Sequence, residues 1–258
     1  MTNLPVAPYI MQHATGWRRP LPGMTESLPR ADISGLQIAP FVDPRSRMQP
    51  VDDQGQIGDC TADATCNYFR FDAILDGKDP GPLSRLWTYR YERIREGTFL
   101  QGDVGAMGHD AFIVAQHGIP SETLWPYDIA TYQNAPSRAA ITHRAYRLTK
   151  QVHTPVQTVE AFKAVLSNNQ LIAYGFTVYP SYEQIGSDGV YNGPASYEQP
   201  AGGHEQLIVG YLLDYPDHAL LRGSWSDQFA LGGYILFPWE LLMDPNMCSD
   251  FRTIVRPL

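Results

Sequence analysis

The sequence predicts an α+β protein in which helices come first and strands follow. Three observations predict this. Apolar residues in the first half recur at helical spacing. In the second half they gather into short runs, rich in β-branched and aromatic residues, between turn signals. The helices and strands are segregated along the chain rather than alternating, which separates α+β from a parallel α/β fold.

The elements follow in order. Residues 1–45 hold seven prolines (Pro5, Pro8, Pro20, Pro22, Pro29, Pro40 and Pro44). Proline lacks the N–H a helix interior needs, so this stretch is an extended arm. It is expected to lie over the body or to reach a neighbour. From Cys60 onward Ala62, Cys66, Phe69 and Ala73 fall on one helical face, and Gly77 is a stop. A second helix is expected over 105–117, with Ala106, Asp110, Ile113, Val114 and His117 on one side and Gly118 after it. "IPSETLWPY" (119–127) reads as loop. A third helix is expected over 158–168, with Thr158 as its N-cap. Strands are expected in "LIAYGFTVY" (171–179), "HEQLIVGYLL" (204–213), "HALLRGSW" (218–225), "GGYILFP" (232–238) and "FRTIVRP" (251–257). This divides one domain into an arm (1–45), a helical lobe (46–150) and a β-rich lobe (151–258).

Composition narrows the function. The formal net charge is −8, which argues against nucleic acid as a partner, since phosphate binding needs clustered Lys and Arg. Cys60, Cys66 and Cys248 are too few for a disulfide framework and lack zinc-ligand spacing. His109 and His117 do not make a metal site, and "HEQLI" lacks the second histidine of a zinc peptidase helix. No cofactor is expected. The first residues show no signal-peptide pattern, and no apolar run approaches the roughly 18 residues of a membrane span. The expected location is the cytoplasm where the chain is made.

"QGQIGDC" (54–60) points to chemistry. A cysteine in the first turn of a helix feels unpaired backbone N–H groups, which favour its thiolate, the nucleophilic form. Glycines before it let a substrate backbone approach. Gln54 can offer an amide N–H to a developing oxyanion.

"PVDDQGQIGDCTADATCNYF" resembles the active-site block of papain-like cysteine peptidases, in which a glutamine lies six residues before the nucleophile. Its "DCTADA" form is similar to compact bacterial and bacteriophage members. "GGHEQLIVGY" resembles the histidine block, and "RGSWSDQFALGGYILF" the block that follows. The resemblance implies a two-lobe fold with Cys60 opening the central helix of a cleft. It implies His204 as base, Gln54 and the Cys60 N–H as oxyanion donors, a polypeptide substrate and an acyl-enzyme.

The same resemblance exposes departures. The family asparagine that orients the histidine falls on Gly223, although Trp225, which shields that contact, remains. Asp59 stands where serine is usual; it either caps the helix or opposes the thiolate. Glu205 follows His204, and points away along the strand, pairs with His204 or obstructs the cleft. Ser226 and Ala230 replace usual glycines. The arm is no helical inhibitory pro-segment, yet it can cover the cleft. Two readings follow: a peptidase working through a Cys60–His204 dyad, or a degenerate relative serving a larger assembly such as a phage particle through residues 1–45. A transglutaminase-like or amidase activity on the same dyad is a third.

Overall fold

A computed structural model describes residues 11–25 and 27–254. Pro5 and Pro8 of the arm lie outside the described residues. The central element is α1 (Cys60–Leu75), buried on nearly every side. Around it pack α2 (Arg85–Arg95) and α3 (Gly108–His117). Sequence pattern did not single out α2, because its apolar residues are diluted by five arginines and glutamates among eleven residues. What starts it is local: Ser84 caps it by accepting from the Trp87 N–H. A short helix, α4 (Arg138–Thr142), closes this half.

The second half is a sheet. β1 (Val152–His153) precedes α5 (Val159–Ser167), whose N-cap Thr158 accepts from the Ala161 N–H as expected. Then come β2 (Ile172–Val178), β3 (Gly202–Gly210), β4 (His218–Arg222) and β5 (Tyr234–Pro238). The chain ends with α6 (Trp239–Met243) and β6 (Cys248–Ile254). The described strands form one antiparallel sheet in the order β1-β6-β2-β3-β4-β5. The expected strands are all present, each within a few residues of its expected bounds, except that residues 255–257 of the last lie outside the described residues.

Strand alternation gives the sheet two working faces. Ala173 of β2 and Leu207 and Val209 of β3 join Tyr68, Phe69 and Phe112 of the helices in one core. Tyr174, Phe176 and Ile208 turn to the other side, into a core with Phe162 of α5, Phe237 and Trp239. His204 lies on the second face and Glu205 on the first, because their neighbours alternate in the same way.

The described part of the arm is docked on the body, not extended into solvent. The N–H groups of Gly16 and Trp17 both donate to Gly203 O at 2.9 Å. Arg19 donates to the carbonyls of Pro245 and Asn246, and Arg18 pairs with Glu96. A side chain on Gly175 would overlap the Trp17 indole, so the bare strand there makes room for the ring. Among the described residues no helix is long and apolar enough to cross a membrane.

Candidate active site

Cys60 is the first residue of α1 and has no exposed surface. Its sulfur accepts from the Glu205 N–H at 3.4 Å. That nitrogen belongs to the peptide joining His204 to Glu205. The fold therefore brings together two residues 144 positions apart, placing the sulfur against the backbone of the histidine strand.

His204 is fully buried, and neither ring nitrogen has a hydrogen-bond partner. An aromatic wall surrounds it. The Trp225 ring lies 4.8 Å from the imidazole and the Phe176 ring 5.8 Å away. Burial without a partner disfavours the cation, and nearby His13 adds to this, so the His204 pKa falls to about 3.

The Cys60 thiol is pushed well up, chiefly by burial; the Glu205 N–H works the other way, and the Glu205 and Asp59 carboxylates add to the rise. The helix start alone favours a thiolate. Here the missing water outweighs the helix, so the pair rests as neutral thiol and neutral imidazole.

Gln54 is also buried. Its Oε1 accepts from Ser224 Oγ at 2.5 Å, and its Nε2 donates to Ile57 O at 2.9 Å. The same Nε2 donates to Ala14 O at 3.3 Å. Ala14 belongs to the arm, so a peptide carbonyl of the chain itself sits on the Gln54 amide. Next to it the arm is pressed close. A Cβ on Gly16 would stand 1.9 Å from Gly58 O, and one on Gly202 2.2 Å from Thr15 Oγ1. His13 stacks on Trp225 with ring centroids 4.5 Å apart, and its N–H donates to Glu183 at 2.7 Å. The sequence carried no signal for this contact beyond the length and proline content of the arm. Ser224 was legible only as part of "RGSW".

Asp59 occupies the N-cap position of α1, but its side chain makes no cap hydrogen bond. The Tyr127 hydroxyl donates to it at 2.8 Å instead. Burial first, then Asp63, pushes its pKa well above the ordinary carboxylate range. The capping expectation thus fails in detail: the carboxyl is held by a tyrosine and biased toward its neutral acid.

Glu205 does not pair with His204. It points to the helical side, where Arg252 Nη2 lies 2.7 Å away and a Cβ on Gly108 would collide with it. Gly223 pairs backbone to backbone with Gly233 at 3.0 Å, and the Trp225 ring lies beside His204. Ser226 and Ala230 adopt φ of 67° and 52°, the left-handed region in which glycine is comfortable. No group of residues able to hold a metal is present among the described residues.

A cysteine at a helix start, a histidine strand beside it and a buried glutamine amide are the arrangement of a cysteine-protease site. Residues 38–249 match the papain family cysteine protease family, and the chain belongs to it. An uncharacterised peptidase C1-like protein of Acanthamoeba polyphaga mimivirus is 29% identical over 215 residues, 78% of this chain and 68% of that protein. Cysteine proteinase 3 of Entamoeba histolytica is 25% identical, over 89% and 73% of the two chains. Among solved structures, xylellain, a cysteine protease from Xylella fastidiosa, superposes with a TM-score of 0.82 at 28% identity, covering 97% of this chain and all of that one. Digestive procathepsin L 3 of Tenebrio molitor shares the fold at 19% identity and a TM-score of 0.70, covering 94% of this chain and 75% of that one.

Proposed function

We propose that this chain hydrolyses peptide bonds through Cys60 and His204, and that its own arm holds it latent. In this reading Cys60 is the nucleophile, His204 the acid–base group and Gln54 a donor to the oxyanion. Gly223 takes the position of the family's orienting asparagine. The observation that carries the reading is the Ala14 carbonyl on Gln54 Nε2. A donor that already receives one peptide carbonyl is fitted to receive the carbonyl of a substrate.

The chemistry follows from water. With the arm in place, burial keeps the thiol protonated and the imidazole neutral. Lifting the arm lets water and substrate in, which lowers the cost of both charges. The thiol proton then passes to the imidazole. The thiolate attacks the carbonyl, the imidazolium protonates the leaving amine, and water releases the acyl group.

The full-length Gly16→Val variant tests this, since its side chain meets the Gly58 backbone and must raise the arm. Hydrolysis of an unfolded protein substrate should rise at least tenfold over the parent chain and vanish in Gly16→Val/Cys60→Ser. Absence of hydrolysis in a folded Gly16→Val protein would favour a degenerate relative serving an assembly.

A further inference from the structure

We propose that Gln206 is the positioning residue for His204, taking over from across the sheet the task of the side chain missing at Gly223. The proposal rests on the reading of His204 as the acid–base group.

Gln206 follows His204 by two residues on β3, so both project from one face with Cα atoms about 6.7 Å apart. It is buried, with 2% of its surface exposed, and Ile208 follows it on the same face of β3. Leu207 pairs with Arg222 across β3 and β4, which sets Gln206 opposite Gly223. A Cβ built on Gly223 comes within 3.1 Å of Gln206 Nε2. The amide therefore stands in the space that a side chain at 223 would enter. The two residues are complementary in size: nothing at 223, a long amide at 206.

The polar groups on this face complete the argument. Tyr182 Oη donates to Gln206 Oε1 at 2.8 Å. Gln206 Nε2, His204 Nδ1 and His204 Nε2 are all buried without partners. Tyr182 packs against both Trp225 and Phe176, the rings that flank His204, so the amide and the imidazole share one aromatic box. Buried polar groups in native proteins are almost always paired. A half-turn of the amide changes no shape, places its oxygen where Nε2 stands and leaves its NH₂ to donate to Tyr182 Oη. As the side chains stand, neither ring nitrogen is bonded to the Gln206 amide; a rotation of the imidazole toward the turned amide lets the oxygen accept a His204 ring N–H, which fixes the tautomer and leaves the second nitrogen free to receive the thiol proton.

Two measurements test the proposal. In ¹⁵N-labelled full-length protein, His204 should show one neutral tautomer with a ring proton protected from exchange. In Gln206→Met, which keeps the volume, that protection should drop at least tenfold. An unchanged His204 signal overturns the proposal. In the Gly16→Val background, Gln206→Met should lower kcat at least tenfold with KM within twofold. Gln206→Val/Gly223→Asn, which moves the amide to the opposite strand, should recover kcat to within threefold of Gly16→Val. A fall that this double variant does not rescue means a packing role and also overturns the proposal. If Gly16→Val has no activity at all, the peptidase reading fails, while the His204 spectrum still decides the role of Gln206.

Discussion

The two faces of β3 solve the same problem in opposite ways. On the helical face, Glu205 is buried against a cation: Arg252 lies 2.7 Å from it and 2.8 Å from Asp250. On the other face, His204 and Gln206 are buried as neutral groups with polar atoms left over. The first face fixes how β3 and β6 meet the helices. The second holds hydrogen-bonding capacity in reserve, which costs stability and is retained where chemistry needs it.

The largest expected effect breaks the charged face. Arg252→Met leaves Glu205 and Asp250 buried without their shared cation and should cost about 3–5 kcal/mol in urea unfolding. A loss below about 1 kcal/mol would mean that the carboxyls relax to neutral acids and the contrast between faces is weak.

Acid should separate the faces next. The folded His204 pKa is about 3, against about 6.5 unfolded. Below pH 6.5 the unfolded chain takes a proton that the folded chain refuses. His204 thus removes about 1.4 kcal/mol per pH unit as pH falls from 6.5 toward 3. Glu205 acts with the opposite sign, since burial raises its pKa and the folded state takes the proton first on acidification. The difference in stability between parent and His204→Phe, followed from pH 7 to 5, isolates the histidine. A difference independent of pH would show that His204 is not held neutral.

A smaller loss should come from Ser224→Ala. It removes the hydroxyl that donates to Gln54 Oε1 and should cost about 1 kcal/mol in thermal unfolding, within the usual range for one hydrogen bond. The smallest effect is a gain. Ala230→Gly relieves a left-handed alanine at φ 52° beside the aromatic box and should stabilise by a few tenths to about 1 kcal/mol.

Much of this was legible in the residues. The runs around β2 and β3 and the Thr158 cap depend on local pattern, and local pattern predicts them. Gln54 and Cys60 stood out in one short motif before a helix, and His204 only through the resemblance of its block to the papain-like family. α2 did not, because its stability comes from Ser84 at one end and from packing of Trp87 and Tyr89 rather than from apolar periodicity. The direction of Glu205 was open until Arg252, 47 residues later, was placed beside it. The occupied Gln54 amide was invisible, since it joins residues 40 apart through a backbone carbonyl that any residue type supplies. Gln206 was not singled out by the sequence, because its place opposite Gly223 depends on the register of β3 and β4.

The most direct test of the account is the rate at which a thiol-directed epoxide alkylates Cys60, mapped by peptide mass spectrometry. The account predicts slow labelling of the parent chain, labelling at least tenfold faster in Gly16→Val, and a return to slow labelling in Gly16→Val/His204→Ala. Equal rates in all three proteins would contradict it, for then neither the arm nor the histidine governs the sulfur.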